Sequence, residues 1–358
     1  MTRHMPKGLL YGAILVAGLI APALFPAYTF SIAGLWVMIL LALTWDIMGG
    51  QMGYNSLGNV FFFGIGMYTC MIVQVGLFYD VAEYTAHSGA VSVHFAPGQY
   101  FTGLTLGLAA AAAVATLFAF VFGQLILGLR GPYFAIGTLG VALSAGELFG
   151  AWPFVGGGGG VALPTYPGEP GDRAYFFYVL CMLLAVVAFA FLKWLYSTRF
   201  KLVANAIRDD EEKAEAMGLH TKRYKNLGFA ISAFFLGISG GLYGNMIGFI
   251  EPLEVAYPVV TFGIFMIVMC LIGGKGTLWG PVIGATLFHV VRQLTWTYML
   301  GWQWVALGGL IIVSVVFFQQ GIVGWMQEKW PEWFGIRVDE KSAMDDGFEA
   351  GTAKKEAA

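Results

Sequence analysis

An all-α polytopic membrane protein, with about ten transmembrane helices and both termini in the cytoplasm, is the fold this sequence predicts, on three observations. Hydrophobic residues make up 58% of the 358 and charged residues only 11%, a balance no ordinary soluble domain shows. Apolar runs close to the roughly 20 residues that cross a hydrocarbon core recur along the chain. The Lys and Arg residues then fall almost entirely between alternate pairs of these runs, as topology in a bilayer requires. A helical bundle follows, because backbone groups in lipid must be satisfied internally and the runs lack the short alternation of a barrel.

The ten candidate spans are about 8–28, 31–48, 60–79, 101–128, 132–149, 174–195, 226–248, 257–274, 279–298 and 302–319. The first has a basic start, an apolar run and an Ala21-Pro22-Ala23 triplet, features shared with a secretory leader. Pro22 disfavours cleavage and further spans follow, so it reads as an uncleaved first helix. Between the second and third spans lies a glycine-interrupted segment, Gly49–Gly66 (GGQMGYNSLGNVFFFGIG). The outer loop 80–100 carries Asp80, Glu83, His87 and His94 and no basic residue. Its histidines read as solvated, since no ligand cluster accompanies them. Arg130–Gly150 is a second glycine-interrupted segment and opens with Pro132 in a favourable first-turn position. Irregular or broken segments at membrane depth must line protein or water, which marks both as candidates for a transport pathway or for close packing. The outer loop 150–173 contains five consecutive glycines and several prolines, which exclude regular helix. Beyond the last span, Trp325–Trp333 (WMQEKWPEW) reads as a surface-lying piece and Gly335–Ala358 as a disordered polar tail. Residues 1–324 thus form the transmembrane domain, and 325–358 an interfacial segment and cytoplasmic tail.

If the polar segment 197–225 is cytoplasmic, Arg173 and Arg292 are the exceptions and 17 of the 19 Lys and Arg residues lie inside. Trp152, Trp194, Trp279, Trp296, Trp302 and Trp304 fall near span ends, where interfacial anchors belong. Cys70, Cys181 and Cys270 lie within spans without ligand spacing and read as small buried hydrophobes. A net charge of −2 gives a nucleic-acid partner no electrostatic support; membrane lipid is the surrounding partner. Many of the 50 glycines sit four apart: Gly103 and Gly107, Gly237 and Gly241, Gly240 and Gly244, Gly280 and Gly284. That spacing lets helices approach closely, either within this chain or against a second membrane subunit.

Function turns on Ser197–Lys225 (STRFKLVANAIRDDEEKAEAMGLHTKRYK), a densely charged island between apolar spans. Within it Ala204–Met217 has helix-forming composition, with acidic residues early and Gly218 placed for a left-handed cap. Ala204, Ile207, Ala214 and Met217 can share one face, with Arg208, Glu211, Glu212 and Glu215 elsewhere. Such a helix suits a groove on a soluble partner; a solvated linker is the alternative that composition leaves open. The span interiors carry almost no charge, whereas ion-coupled transporters keep ionisable residues there. Asp46 and Glu147 sit near span ends. No Walker A sequence is present: Gly273–Thr277 (GGKGT) lacks the upstream glycine and follows no strand. No acid–base pair, nucleophile triad or metal cluster is recognisable, so an enzyme is not expected.

Four segments together carry a resemblance. Gly53–Asn59 (GYNSLGN) with the following FFFGIGMYT is similar to the GY-x-x-SLG-x-x-x-FFG-x-GAYT signature of ABC-importer permeases for branched-chain amino acids. Leu129–Gly140 (LRGPYFAIGTLG), Ser197–Tyr224 and Gly273–Ala285 (GGKGTLWGPVIGA) resemble three further motifs of that family, in the family's order. Length and the extended outer loop resemble its M-type subunit. The resemblance implies the permease bundle of an ABC importer in the bacterial inner membrane. It implies as partners a homologous second permease, two cytoplasmic ATP-binding subunits that use ATP and Mg, and a periplasmic substrate-binding protein. This chain would bind no cofactor and no metal. The resemblance also implies that the island is the coupling helix, matched by Ala206, Ile207, Arg208, Asp209, Asp210, Glu211, Ala214, Glu215 and Gly218. Asn55, Ser56, Tyr68, Tyr133, Phe134 and Thr138 are the candidates for the pathway wall. The sequence departs from the family at Phe200-Lys201, where Gly-Arg is usual, at Lys275, and in Val155–Val161 (VGGGGGV), which lacks a threonine or asparagine. The expected cargo is a branched-chain or other hydrophobic amino acid. Urea or short amides on the same machinery, or an ion-coupled secondary transporter, are the alternatives.

Overall fold

Because lipid offers the backbone no partners, each span must close its own hydrogen bonds, and helix is what the apolar runs become. A computed structural model describes residues 16, 18–87, 95–299, 301–317 and 320–329. After a helical stretch over 18–24, the chain forms α1 (Thr29–Gly49), α2 (Val60–Gly76), α3 (Val81–Ala86), α4 (Pro97–Ile126), α5 (Pro132–Gly150) and α6 (Pro170–Leu195). Two short helices, α7 (Arg199–Asp209) and α8 (Glu211–Ala216), precede α9 (Thr221–Ile247). There follow α10 (Ile264–Gly273), α11 (Gly280–Tyr298), α12 (Gln303–Phe317) and α13 (Gly321–Lys329). Among the described residues six helical segments are long and apolar enough to cross a membrane: Pro26–Gly49, Pro97–Ile126, Pro132–Gly150, Pro170–Leu195, Thr221–Ile247 and Pro252–Gly273. Shorter apolar helices stand where the sequence places its third and tenth spans, and α11 occupies the ninth. The expected first span lies partly outside the described residues, as do His94 and the tail after residue 329.

The hub is α9, which packs against α4, α2, α1 and α6. Glycine makes those seams close. A Cβ at Gly66 would strike the Gly237 backbone, and one at Gly240 would strike the backbone of Phe63 and Met67. Gly103 and Gly107 of α4 face Gln74 and Cys70 of α2. Gly284 of α11 faces the backbone of α10 at Met269 and Gly273. The four-residue glycine spacing is therefore used inside this chain.

The connections sort by end. At one end a two-stranded antiparallel pair joins β1 (Val161–Ala162) to β2 (Phe249–Ile250). Tyr84 donates to the Ala162 carbonyl at 2.9 Å, and Thr85 to that of Phe154 at 3.2 Å. Arg173, one of the two basic residues expected outside, donates through Nη2 to the Asn245 and Met246 carbonyls, both at 3.0 Å. It thereby caps the C-terminus of α9, where a cation is favoured. At the other end meet the segments around 50–59, 127–131, 199–220 and 274–279.

Segment 50–59 does not lie outside the helix layer. The indole nitrogen of Trp45 donates to the Ser56 carbonyl at 2.7 Å, and the Leu57 amide donates to Thr138 Oγ1 at 3.1 Å. Trp45 is a full turn inside α1, and Thr138 nearly two turns inside α5. The chain therefore folds back into the bundle, irregular backbone enclosed by protein, and α2 starts deep and needs only 17 residues. Gly58 is required here, since a Cβ would enter the Thr138 carbonyl.

The eighth span differs from expectation. Instead of one α-helix over 257–274, it consists of π-type turns at Pro252–Ala256 and Val259–Gly263 leading into α10. Pro258 between them has no amide proton to continue a ladder, which breaks the regular helix at that point.

The glycine seams give a direct test. Gly240→Val should lower thermal stability in detergent by about 2 kcal/mol through overpacking against α2. Gly140→Ala, where a Cβ meets nothing within 4 Å, should leave the melt unchanged.

Candidate functional site

The island folds as two helices rather than the single one expected over Ala204–Met217. Thr198 Oγ1 accepts from the Phe200 amide at 3.2 Å and starts α7. At Asp210 the backbone turns extended, with φ −165° and ψ 104°, and its carboxylate accepts from the Lys213 amide at 3.0 Å. That cap starts α8 and separates it from α7. The Lys213 amide bond, with the Lys213 ammonium at 3.0 Å, holds the Asp210 carboxyl below the usual carboxylate range. Gly218 has φ +86°, the left-handed cap read from the sequence.

In α7, Phe200, Val203, Ala204 and Ile207 are buried at helical spacing, which seats it on the bundle. Ala214 is the buried residue of α8. Met217, expected on that apolar face, is instead 82% exposed, because the chain has already left the helix for the Gly218 cap. Leu202, on α7, is 72% exposed. Arg208 and Asp209 pair at 3.3 Å on the exposed side, and Ala206 is half-buried.

Glu211 turns inward. Its carboxylate accepts from the Tyr54 hydroxyl and lies 2.6 Å from Lys225 Nζ, with Arg130 Nε at 3.8 Å. The Lys225 side chain is 2% exposed, and its ammonium also donates to the Leu127 carbonyl at 2.9 Å and Tyr54 Oη at 3.0 Å. An ammonium has three donors, and here all three are used. The clasp ties four elements together: α8, the base of α9, the re-entrant segment at Tyr54, and the turn between α4 and α5 at Leu127. Arg130 adds an ion pair to Glu212 at 2.6 Å. Thr221 Oγ1 donates to Glu215 at 2.5 Å and fixes α8 against the start of α9. Burial raises the Glu211 carboxyl, but hydrogen bonds from Lys225 and Tyr54 and the charges of Lys225 and Arg130 outweigh it, leaving the group below its usual value.

A second tie lies nearby. Asp46 is 1% exposed and accepts from the Gly276 amide at 2.8 Å and from Gln51 at 3.4 Å, joining α1 to the turn before α11. Arg208 packs over Gly53 and approaches Gly276, so α7 bears on both structures.

The six pathway candidates do not share one surface. Ser56, Phe134 and Thr138 are buried around the re-entrant segment, with the rings of Phe134 and Tyr54 at 5.1 Å. Asn55 and Tyr133 are exposed, Tyr133 at 74%. Tyr68 sits toward the outer end, packed on Phe149 and Tyr257 at ring separations of 4.5 and 6.2 Å. Neither Tyr68 nor Tyr257 has a hydrogen-bond partner for its buried hydroxyl among the described residues. Sequence reasoning missed Lys225 and Tyr54. The signal for Lys225 was its position at the boundary of island and span.

Breaking one side of a buried ion pair costs more than removing both. Lys225→Met should destabilise the chain by roughly 3 kcal/mol in detergent melts, and adding Glu211→Gln should recover most of the loss. The depressed Glu211 pKa also sets a pH dependence. Its contribution is complete above the ordinary carboxylate value of about 4.3 and is lost as pH falls through the lower folded value. The stability gap between wild type and Glu211→Gln should thus be full at neutral pH and close on acidification.

Comparison with known proteins accords with this geometry. Residues 28–317 match the family described as branched-chain amino acid transport system, permease component. The chain is 28% identical over 320 residues to the high-affinity branched-chain amino acid transport system permease protein LivM of Escherichia coli, covering 80% of this chain and 72% of that protein. It is 28% identical over 330 residues to LivM of Salmonella typhimurium, covering 81% and 74%. Over 114 residues it is 28% identical to the guanosine ABC transporter permease protein NupQ of Bacillus subtilis, covering 31% and 34%. No solved structure matches the chain. The chain is a multi-pass protein of the bacterial inner membrane and belongs to the family of branched-chain amino acid transport system permease components.

Proposed function

We propose that this chain is one of two permease subunits of an ATP-driven importer for branched-chain or other hydrophobic amino acids, working by alternating access. A homologous permease, two cytoplasmic ATP-binding subunits that use ATP and Mg, and a periplasmic binding protein complete the assembly. The chain itself performs no covalent chemistry. The observation that carries the reading is the clasp of Glu211, Lys225 and Tyr54. It joins an exposed two-helix surface to the re-entrant segment and to the α4–α5 turn. A load applied to α7 and α8 would therefore reach membrane depth through hydrogen bonds rather than through a slack loop.

The ATPase would grip Arg208, Asp209, Glu215 and the exposed Leu202 and Met217. Ile207 and Ala214 support that surface from beneath, with Ala206 and Asp210 half-buried in it and the exposed Gly218 closing α8. The exposed stripe of α5, with Tyr133, Ile136, Leu143 and Leu148, is the face offered to the second permease or to the pathway. Tyr133 and Asn55 would face the pathway directly, with Ser56, Phe134 and Thr138 buried behind that face and Tyr68 in the aromatic group at its far end. A nucleoside cargo is the second reading, favoured by the partial similarity to NupQ.

The test uses the full importer in proteoliposomes. Arg208→Glu with Glu215→Arg should cut ATP-driven leucine uptake at least roughly tenfold while the permease remains inserted. Unchanged uptake would remove the coupling role. Competition of leucine uptake by unlabelled guanosine decides the cargo class.

A further inference from the structure

A cavity of about 440 Å³ opens near the outer end of the bundle, between α1, α9, α10, α11 and α12, away from the clasp. Its volume falls within the range of small-ligand sites, roughly 300–1,000 Å³. Most of its wall is apolar and aromatic, with Phe262 and Phe265 within and Trp296 and Trp304, both more than half exposed, at its rim. Set into that wall are Arg292 and His289. No acidic side chain pairs with Arg292 among the described residues. His289 is 7% exposed; its Nε2 lies 3.4 Å from Ser31 Oγ, and its Nδ1 has no partner. In the tautomer where Nε2 accepts from Ser31, Nδ1 carries the proton and is a donor awaiting an acceptor.

A half-buried guanidinium without a counter-ion, beside an unsatisfied buried ring nitrogen, is expensive in an apolar setting and calls for an anionic acceptor. A fork of guanidinium donors fits the two oxygens of a carboxylate or phosphate. We infer that this cavity binds the anionic head, carboxylate or phosphate, of a molecule with an apolar body, Arg292 and His289 holding the head and the aromatic wall the body. Two sources share that chemistry: an outer-leaflet phospholipid and a free aliphatic acid. The inference stands apart from the transport reading and uses none of its residues.

Tryptophan at the rim supplies the readout. The full-length chain in neutral detergent is titrated with brominated quenchers: 11-bromoundecanoate against 11-bromoundecanol, and brominated phosphatidylglycerol against brominated phosphatidylcholine. The expected result is roughly tenfold tighter binding of at least one anionic probe than of its uncharged or zwitterionic counterpart. Preference within the first pair assigns a free acid, and within the second a lipid. Arg292→Gln should abolish the preference and Arg292→Lys retain most of it. If Arg292→Gln is not recovered folded, His289→Phe, which removes the ring donor and leaves the charge, should weaken the anionic probe severalfold. Equal binding of both members of each pair, or an undiminished preference in Arg292→Gln, or in His289→Phe where that variant stands in, overturns the inference.

Discussion

The end of this protein that carries α7 and α8 is organised around one desolvated ammonium. Lys225 stands at the first turn of α9, the helix against which most of the bundle packs, so whatever it holds is referenced to the hub. A charge removed from water must find full compensation locally, and Lys225 finds it in a carboxylate, a phenol and a backbone carbonyl from three different parts of the chain. None of those partners could move away alone without leaving a buried charge short of a bond. The α7–α8 surface, the re-entrant segment and the α4–α5 turn are thereby constrained to move together or not at all.

Glycine sets the complementary constraint inside the membrane. With backbones of α2, α4 and α9 in direct approach at Gly66, Gly237 and Gly240, these helices have little freedom to rotate against one another. They form one closely packed body to which the clasp is anchored through Lys225 of α9. The deep start of α2 belongs to the same design, because segment 50–59 enters the bundle only where Gly58 lets it pass the Thr138 carbonyl.

Much of this was legible in the sequence, and what was hidden has physical causes. Apolar length gave most of the helical spans, because it acts through the bilayer rather than through particular neighbours. Gly218 was legible as a cap because left-handed backbone favours glycine strongly. The break at Asp210 was not, since a run of Asp and Glu is equally at home inside a helix and at its N-cap, and only tertiary seating of α7 decides. The inward turn of Glu211 was hidden for a similar reason. Its partner Lys225 is fourteen residues away, Tyr54 comes from a distant loop, and pattern reading treats a charge in a polar run as solvated. The pathway candidates were the least separable by pattern, because tertiary packing buries Ser56, Phe134 and Thr138 and leaves Asn55 and Tyr133 exposed.

The two ends of the bundle are held by forces of different kinds, and that difference bears on how the molecule could switch. All the ion pairs described above lie at the end that carries α7 and α8. The opposite end is held by the β1–β2 pair, by neutral hydrogen bonds such as that of Tyr84, by the Arg173 cap, and by aromatic contacts among Tyr68, Phe149, Trp152 and Tyr257. Aromatic and dispersion contacts decay within about an ångström of separation, whereas a buried charge resists separation over a longer distance. On the alternating-access reading, displacement transmitted by the clasp would then be resolved where contacts are short-ranged and neutral. On that reading the compliant gate would lie at the aromatic group of Tyr68, Phe149, Trp152 and Tyr257, and the rigid handle at Lys225.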